Sequence, residues 1–148
     1  MHELRPITVA DMQAQAAALL HAHWDEVEDG SRGAMRPRWD RYTDYEAAGI
    51  LRIQGAFDGD ELVGYCVLML GAHLHDSEAK PARIDAMFVR QDARGRRLGL
   101  RLVKWALETS AELAATESCA HARRDSAAAK LLEAVGFVER EVIYVRGV

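Results

Sequence analysis

The strongest constraint on the fold is a predicted β-hairpin in the middle of the chain. Two strand-like runs within residues 50–71 flank the sequence Asp58-Gly59-Asp60. An Asp-Gly pair between two such runs is the clearest short-range signal for a tight hairpin turn. We therefore expect an antiparallel sheet, against which the rest of the chain packs.

The segments around this hairpin alternate between strand-like and helix-like patterns. The predicted strands are 4–8, 83–89, 118–122 and 137–148, and the predicted helices are 9–27, 38–49, 98–115 and 125–137. Thr8 or Asp11 can cap the first helix, and Gly49 can end the second. The order β-α-α-β-β-β-α-β-α-β has no linker and no repeat. It predicts one domain, 1–148, of mixed α/β class.

Composition narrows the class of protein. The chain has 148 residues, of which 49% are hydrophobic and 28% charged, and a net charge of −4. This acidic total argues against a protein that coats nucleic acid or an anionic membrane. No run approaches the roughly 18 apolar residues of a membrane span. The N-terminus also lacks a secretion-signal pattern, so we expect a cytoplasmic protein.

Cys66 and Cys119 are too few for a disulfide framework or a zinc site. Both stand in short apolar runs, which favours two reduced thiols that pack as small hydrophobic groups.

A basic run at 93–108 stands out on this acidic chain. Its five cations crowd the start of a predicted helix: Arg94, Arg96, Arg97, Arg101 and Lys104. The helix dipole disfavours cations there unless an anion binds. Free N–H groups in the first helical turn can hold a phosphate, and Gly95 and Gly99 would let it approach. The alternative is a solvated helix start with incidental glycines.

The spacing in this run differs from both common phosphate motifs. A P-loop needs four residues between its glycines and then Lys-Ser/Thr, and the dinucleotide fold needs Gly-x-Gly-x-x-Gly. Instead, V-x-x-x-x-R-G-x-x-x-G-x-x-L at 89–102, between a strand and an amphipathic helix, resembles the acetyl-coenzyme A loop of the GCN5-related N-acetyltransferases. "AAAKLLEAVGF" at 127–137 resembles the penultimate helix of that family, and the element order matches along nearly the whole chain.

The resemblance implies a fold and a cofactor site. The fold would be a central, mostly antiparallel sheet with splayed strands 4 and 5, flanked by about four helices. Coenzyme A would enter the wedge between strands 83–89 and 118–122. The resemblance assigns the pantetheine arm to the backbone of Met87, Phe88 and Val89. It assigns the pyrophosphate to backbone N–H groups of Arg94, Gly95, Arg96, Arg97, Leu98, Gly99 and Leu100.

Two positions depart from the family pattern. Arg97 stands where the family usually has glycine, and Leu132 stands where it often has a tyrosine that protonates the thiolate. The chain is most similar to a branch associated with bacteriophage and prophage genes. That similarity rests on "HLH" at 73–75, Asp85, "LLE" in the late helix and "IY" at 143–144.

Acetyl transfer by direct attack of an amine needs a base, and a second group can protonate the leaving thiolate. Asp85 is the first candidate base, because a carboxylate inside the strand 83–89 needs a reason. Strand alternation places Asp85, Met87 and Val89 on one face. The alternative for Asp85 is a structural ion pair, with Arg83 or another arginine.

Other candidates for the chemistry are histidines and a tyrosine. His73 and His75 lie on one side of an extended "HLH", as base, substrate contact or surface histidines; a metal site there needs more ligands. His121 could face the wedge but is more typical of a core residue. Tyr144 is the best remaining acid, with an ordinary strand aromatic as the alternative.

The wall facing the amine is predicted in 24–45. Its acids, Asp25, Glu26, Glu28 and Asp29, could attract a cationic amine. Its aromatic residues, Trp24, Trp39, Tyr42 and Tyr45, could line a pocket or simply pack the core.

Three functions are therefore weighed. The first is an acetyl-CoA-dependent N-acetyltransferase acting on a primary amine of a small molecule or a protein in a ternary complex, with acetyl-CoA as cosubstrate and no metal. The second is a non-catalytic acyl-CoA-binding or sensing domain on the same fold. The third, a nucleic-acid module, is disfavoured by the charge. No membrane partner is expected, and the sequence leaves monomer and homodimer open.

Overall fold

The computed structural model describes residues 1–28, 30 and 32–147. The strands in this part of the chain are β1 His2–Ile7, β2 Leu51–Asp58, β3 Glu61–Leu70, β4 Pro81–Val89 and β5 Glu117–Ala120. The α-helices are α1 Val9–Gln15, α2 Ala17–Val27, α3 Trp39–Ala47, α4 Leu98–Glu112 and α5 Ala127–Ala134. A short 3₁₀ helix, Gln91–Ala93, lies between β4 and α4.

The strands form one sheet in the order β1-β2-β3-β4-β5. All neighbours are antiparallel except β4 and β5, which run parallel. The predicted hairpin is confirmed, with β2 and β3 joined by a tight turn in which Gly59 has φ 62°. The predicted mixed α/β class with a mostly antiparallel sheet is also confirmed.

Helices cover both faces of the sheet and create two apolar cores. On one face α4 and α5 bury Leu102, Val103 and Leu132 against β3 and β4. On the other face α1, α2 and α3 cover Tyr65 of β3 and Phe88 of β4. The central strands are therefore buried on both sides, which matches their nearly continuous apolar runs.

The predicted helix 9–27 is two helices that meet at Ala16. Thr8 caps α1 in a reciprocal capping box with Asp11. Ala16 leaves helical geometry, with φ −97° and ψ 4°, and is completely buried. The bend lets Met12 in α1 and Leu20 in α2 reach the same core.

The predicted last strand is wrong for the residues that the structure describes. Residues 137–147 form no strand, and Val138, Ile143 and Tyr144 are 83%, 66% and 92% exposed. Val148 lies outside the described residues. Alternating apolar residues give a segment the capacity to form a strand, but a strand also needs a neighbour to pair with. The segment is tied down only at its start, where exposed ion pairs join Arg124 to Glu139 and Arg140 to Glu117.

Within residues 1–28, 30 and 32–147, none of the helices combines the length and the apolar character needed to cross a membrane.

Candidate functional site

The two parallel strands of the sheet separate halfway along β4. Their pairing runs from Pro81 opposite Glu117 to Ile84 opposite Ala120, where β5 ends. Residues 85–89 of β4 continue with β3 on one side and, in the described part of the chain, no strand on the other. This half of β4 therefore offers backbone N–H and C=O groups to a ligand that enters beside it.

A β-bulge marks the point of separation. Val67 of β3 is opposite Ala86, but the next residue, Leu68, is opposite Ile84. Asp85 is therefore the extra residue of a bulge, which re-aims side chains. The predicted shared face of Asp85, Met87 and Val89 is wrong for this reason. Met87 and Val89 pack on the α4 side, whereas Asp85 lies near Tyr42, on the α3 side.

Beyond the open end of β4, the loop leads directly into the first turn of α4. In the hydrogen-bond pattern of residues 1–28, 30 and 32–147, the backbone N–H groups of 95–100 have no acceptor, whereas Arg101 N donates to Arg97 O. Arg97 is the N-cap residue, and its side chain makes no capping hydrogen bond. Six adjacent N–H donors at the positive end of a 15-residue helix form a site suited to an anion.

Arg97 adopts a left-handed backbone conformation, with φ 57° and ψ 18°. A non-glycine residue is uncommon there, because its Cβ crowds the backbone. The glycine expected at this position from the family resemblance would adopt this conformation without that crowding.

The five cations of the basic run divide into two groups. Arg94 donates from Nε to Val89 O at 2.8 Å and from Nη2 to Glu26 Oε2 at 2.6 Å. Arg101 donates to His2 O at 2.9 Å. These two bind the loop and α4 to neighbouring elements. The side chains of Arg96, Arg97 and Lys104 are exposed and have no hydrogen-bond or ion-pair partner among the described residues, so their charge is free for a ligand.

The two glycines of the loop have different structural reasons. Gly95 has φ +84° and turns the chain into the helix. A Cβ on Gly99 would lie 3.2 Å from Leu131 Cδ2, so the missing side chain lets α5 approach the start of α4. Their spacing in the sequence predicts that both glycines let a phosphate approach. In the structure, Gly99 instead allows close packing of α5 against α4.

Asp85 combines an ion pair with a position at the strand separation. Arg83 Nη2 lies 2.9 Å from Asp85 Oδ1, and the Asp85 side chain is 26% exposed. Burial raises the pKa of Tyr42, and the negative charge of Asp85 raises it further. The carboxylate therefore stays accessible while one arginine fixes its direction.

The structure does not bring the predicted histidines to this carboxylate. His73 and His75 are exposed in the loop between β3 and β4, with ring centroids 5.9 Å apart. That loop lies at the end of β4 where β4 and β5 still pair. His121 follows the last residue of β5 and is also exposed. In the described part of the chain, no three His, Cys, Asp or Glu side chains are placed to hold a metal ion.

Tyr144, the predicted acid, and Leu132, which stands where the family often has tyrosine, lie in different surroundings. Tyr144 is 92% exposed in the segment that forms no strand, and Leu132 is 8% exposed in the core under α4. Cys66 and Cys119 are free thiols, and burial raises the pKa of Cys66 to about 12.

Aromatic side chains of α3 form a wall on the side of the sheet to which Asp85 points, with Tyr42 near its carboxylate. Trp39 and Tyr42 pack at a centroid distance of 5.6 Å, and with Tyr45 they cover the core on that face. Trp24 donates from Nε1 to Gly33 O at 2.8 Å. Of the acids predicted for this wall, Asp29 lies outside the described residues. The aromatic residues are half-buried, so they pack the core and still leave surface for a ligand.

A buried polar pair that the sequence reasoning missed lies below the open end of β4. His23 Nδ1 of α2 is 2.6 Å from the Tyr65 hydroxyl of β3, and the His23 ring stacks on Phe88 at 5.0 Å. Tyr65 is completely buried, which raises its pKa. A signal existed, because a tyrosine inside the apolar run 62–70 needs a partner for its hydroxyl.

Comparison with known proteins agrees with this geometry. The model of the family described as "Acetyltransferase (GNAT) family" matches residues 16–137. A search of curated protein sequences gave no significant match.

Solved structures share the fold along the whole chain. The ribosomal-protein-alanine N-acetyltransferase of Brucella melitensis biovar Abortus 2308 is 17% identical with a TM-score of 0.74, and the match covers 100% of this chain and 99% of that one. A transcriptional regulator from Bacillus halodurans C-125 is 21% identical with a TM-score of 0.78, over 99% and 100%. AAC(6')-Iy, in complex with the bisubstrate analogue CoA-S-monomethyl-acetylneamine, is 14% identical with a TM-score of 0.74, over 99% and 98%.

Proposed function

The chain belongs to the acetyltransferase (GNAT) family, and on this premise we propose that it transfers the acetyl group of acetyl-CoA to a primary amine by direct attack in a ternary complex. Members of this family use acetyl-CoA, and N-acetyltransferases are among the proteins that share its fold.

One observation carries the proposal. In the part of the chain that the structure describes, six N–H groups without an acceptor at the start of α4 lie directly beyond the edge of β4 that no strand covers. The pyrophosphate of coenzyme A would take the N–H groups of 95–100, with Arg96, Arg97 and Lys104 adding charge. The pantetheine arm would pair, as a neighbouring strand does, with the free backbone groups of the edge at Met87, Phe88 and Val89, where Val89 O is already held by Arg94.

Asp85 is the proposed proton acceptor for the attacking amine. Its carboxylate lies where β4 and β5 separate, beside the aromatic wall. Asp85 takes one proton from the arriving ammonium, directly or through water, so that the neutral nitrogen can attack the acetyl carbon. The nitrogen–carbon bond forms, the carbon–sulfur bond breaks, and in the net balance of protons the second nitrogen proton passes to the leaving thiolate. Arg83 fixes the carboxylate and is a positioning residue.

The amine would be held between Asp85 and the aromatic wall. Tyr42 and Trp39 present rings there, and a protonated amine is attracted both to aromatic faces and to carboxylates. The acceptor class is therefore a primary amine that arrives as a cation, in a small molecule or a protein.

Tyr144 is the proposed donor of a proton to the leaving thiolate. Tyr144 can serve only if the segment 137–147 moves toward the wedge, because it is 92% exposed. The roles predicted for His73 and His75 stay predictions, and a His73→Gln/His75→Gln double variant tests them. The narrower likeness to a phage-associated branch also stays a prediction.

Release of free thiol from acetyl-CoA with a panel of primary amines tests the function. We expect Asp85→Asn to lower kcat by about 100-fold, the usual contribution of a positioned base, while coenzyme A affinity is unchanged. Glu3→Gln is the matched control, because Glu3 and Arg5 form an exposed pair of the same spacing on β1, at the other edge of the sheet. Equal rates for the two variants would remove Asp85 from the chemistry.

The alternative is a non-catalytic acyl-CoA-binding domain, favoured by Leu132 in place of the usual tyrosine and by the exposure of Tyr144. Thermal stabilisation by acetyl-CoA without thiol release on any amine would support it. No stabilisation by acetyl-CoA at all would contradict both functions.

A further inference from the structure

We propose that His23 is a positioning residue that couples the coenzyme-binding end of β4 to α2, the helix that packs over it. This inference rests on the proposed function, because it concerns how that site is assembled. It starts from the buried pair of His23 and Tyr65, which the proposed chemistry does not use.

The side chain of His23 lies between α2 and the end of β4 that borders the proposed coenzyme site. The residue belongs to α2, and its ring stacks on Phe88, a residue of β4 next to the open edge. The two rings are nearly parallel, at an interplanar angle of 19°. A displacement of α2 therefore moves the ring on which the end of β4 rests.

Arg94 makes the second connection between the same two elements. Its guanidinium binds Val89 O at the end of β4 and Glu26 on α2, and it lies 5.4 Å above the Phe88 ring. One arginine therefore joins the first residue of the coenzyme loop, the strand end and α2. The His23 ring and the Arg94 guanidinium both contact Phe88.

The protonation state of His23 determines whether these contacts persist. Tyr65 keeps its proton and can donate to Nδ1 of a neutral His23. Burial lowers the pKa of His23, the charge of Arg94 lowers it too, and Glu26 opposes both. These are the charged and titratable groups that face the ring, from α2, β3 and the loop.

A second proton would place two cations beside one carboxylate. Protonated His23 can no longer accept from Tyr65 and must donate to its hydroxyl instead, and its charge repels Arg94 and competes with it for Glu26. The link from the loop to α2 then weakens, although Arg94 still binds Val89 O. Neutral His23 is therefore the form that holds the coenzyme end of β4 in place against α2.

The test compares wild type with His23→Gln, which can accept the hydrogen bond from Tyr65 but does not titrate. The control is His21→Gln, an exposed histidine of the same helix. Because the pKa of His23 is lowered, coenzyme A binding is measured by calorimetry from pH 8.0 down to the lowest pH at which all three proteins stay folded. Hydrogen exchange of 17–28 and 88–101 is measured in the free protein over the same range. Comparison between variants cancels the titration of the coenzyme's own phosphates.

We expect acidification to weaken coenzyme A binding about five-fold more in wild type than in His23→Gln, the lower range of measured couplings between sites. Protection factors, which correct for the slower intrinsic exchange at low pH, should fall in both segments on acidification in wild type and in His21→Gln, but not in His23→Gln. If wild type and His23→Gln gave the same pH profiles of coenzyme A binding and of exchange protection, the inference would be overturned. Absence of coenzyme A binding at pH 8.0 would instead contradict the proposed function, and the exchange data would still decide the coupling.

Discussion

At the scale of single residues, Arg97 has a backbone conformation that residues with a Cβ disfavour. Arg97 adopts φ 57° at the helix start, at an expected cost of about 1–2 kcal/mol for a residue with a Cβ. The same backbone geometry directs the N–H groups that follow it out of the helix. We therefore relate the strain at Arg97 to the proposed anion site, because it does not stabilise α4.

Substitution of Arg97 tests this interpretation. In Arg97→Gly the relief of about 1–2 kcal/mol of strain matches or exceeds the cost of about 0.5–1 kcal/mol for the flexibility of glycine, so we expect an unfolding free energy between that of wild type and about 1.5 kcal/mol above it. Arg96→Gly gains no such relief and should lose about 0.5–1 kcal/mol. Urea unfolding measures both, and an equal loss in the two variants would contradict the left-handed conformation of Arg97.

His23 makes the stability depend on pH with a definite sign. Its pKa in the folded state is lowered from 6.5, so the unfolded chain takes up the proton first as the pH falls. The contribution is complete above pH 6.5 and decreases below it, by at most about 1.4 kcal/mol per pH unit. Unfolding of wild type and His23→Gln at pH 7.5 and 5.5 should show a smaller loss in the variant. An identical loss in both would contradict the shift.

At the scale of elements, the geometry of β3 against β4 is set by a close approach at Gly64. A Cβ there would lie 2.8 Å from Phe88 O, a backbone atom that cannot move without moving the end of β4. The strand end that borders the coenzyme site is therefore held close to β3 by a missing side chain.

We expect Gly64→Ala to destabilise the protein by about 1–3 kcal/mol, the usual range for overpacking, and to weaken coenzyme A binding. Gly71→Ala is the matched control, because its Cβ would meet Pro81 only at ordinary distances of 3.5 and 3.6 Å. Chemical unfolding and calorimetry measure the two effects. Similar values for the two variants would show that β4 can shift without cost.

The bulge at Asp85 is a second local feature that shapes β4 beside the proposed site. Without it, strict alternation would put Asp85 on the α4 side with Met87 and Val89, inside the apolar core. The extra residue turns the carboxylate to the side of α3 while Met87 and Val89 keep packing under α4. One inserted residue thus serves both the core and the site.

For the whole molecule, the described core is complete without the C-terminal segment. Residues 138–147 are all exposed, and the ion pairs that hold the segment lie at its start, on the surface. Exposed ion pairs contribute about 0–1 kcal/mol each.

Deletion of 138–148 should therefore change the unfolding free energy by less than about 2 kcal/mol, the sum for two exposed ion pairs. The shortened chain also lacks Tyr144, so its rate of thiol release tests the proposed acid separately from the fold. Loss of cooperative unfolding would show that the segment pairs with the sheet in solution. Loss of thiol release alone would support Tyr144.

The sequence by itself determined the elements that are specified by short-range chemistry. The Asp-Gly turn fixed the central hairpin, Thr8 fixed the start of α1, and the glycines with the basic run identified the loop that enters α4. These features follow from two to five neighbouring residues, because turns and caps depend on local backbone preferences.

Only the tertiary structure decided features that depend on contacts between distant segments. The bulge that turns Asp85, the partner of Tyr65, the use of Arg94 and Arg101 as connectors, and the unpaired segment 137–147 have no local signature. Each depends on which surfaces meet after the helices pack, so residue periodicity could not predict it. The sequence therefore located the loop that enters α4, and packing decided which side chains face it.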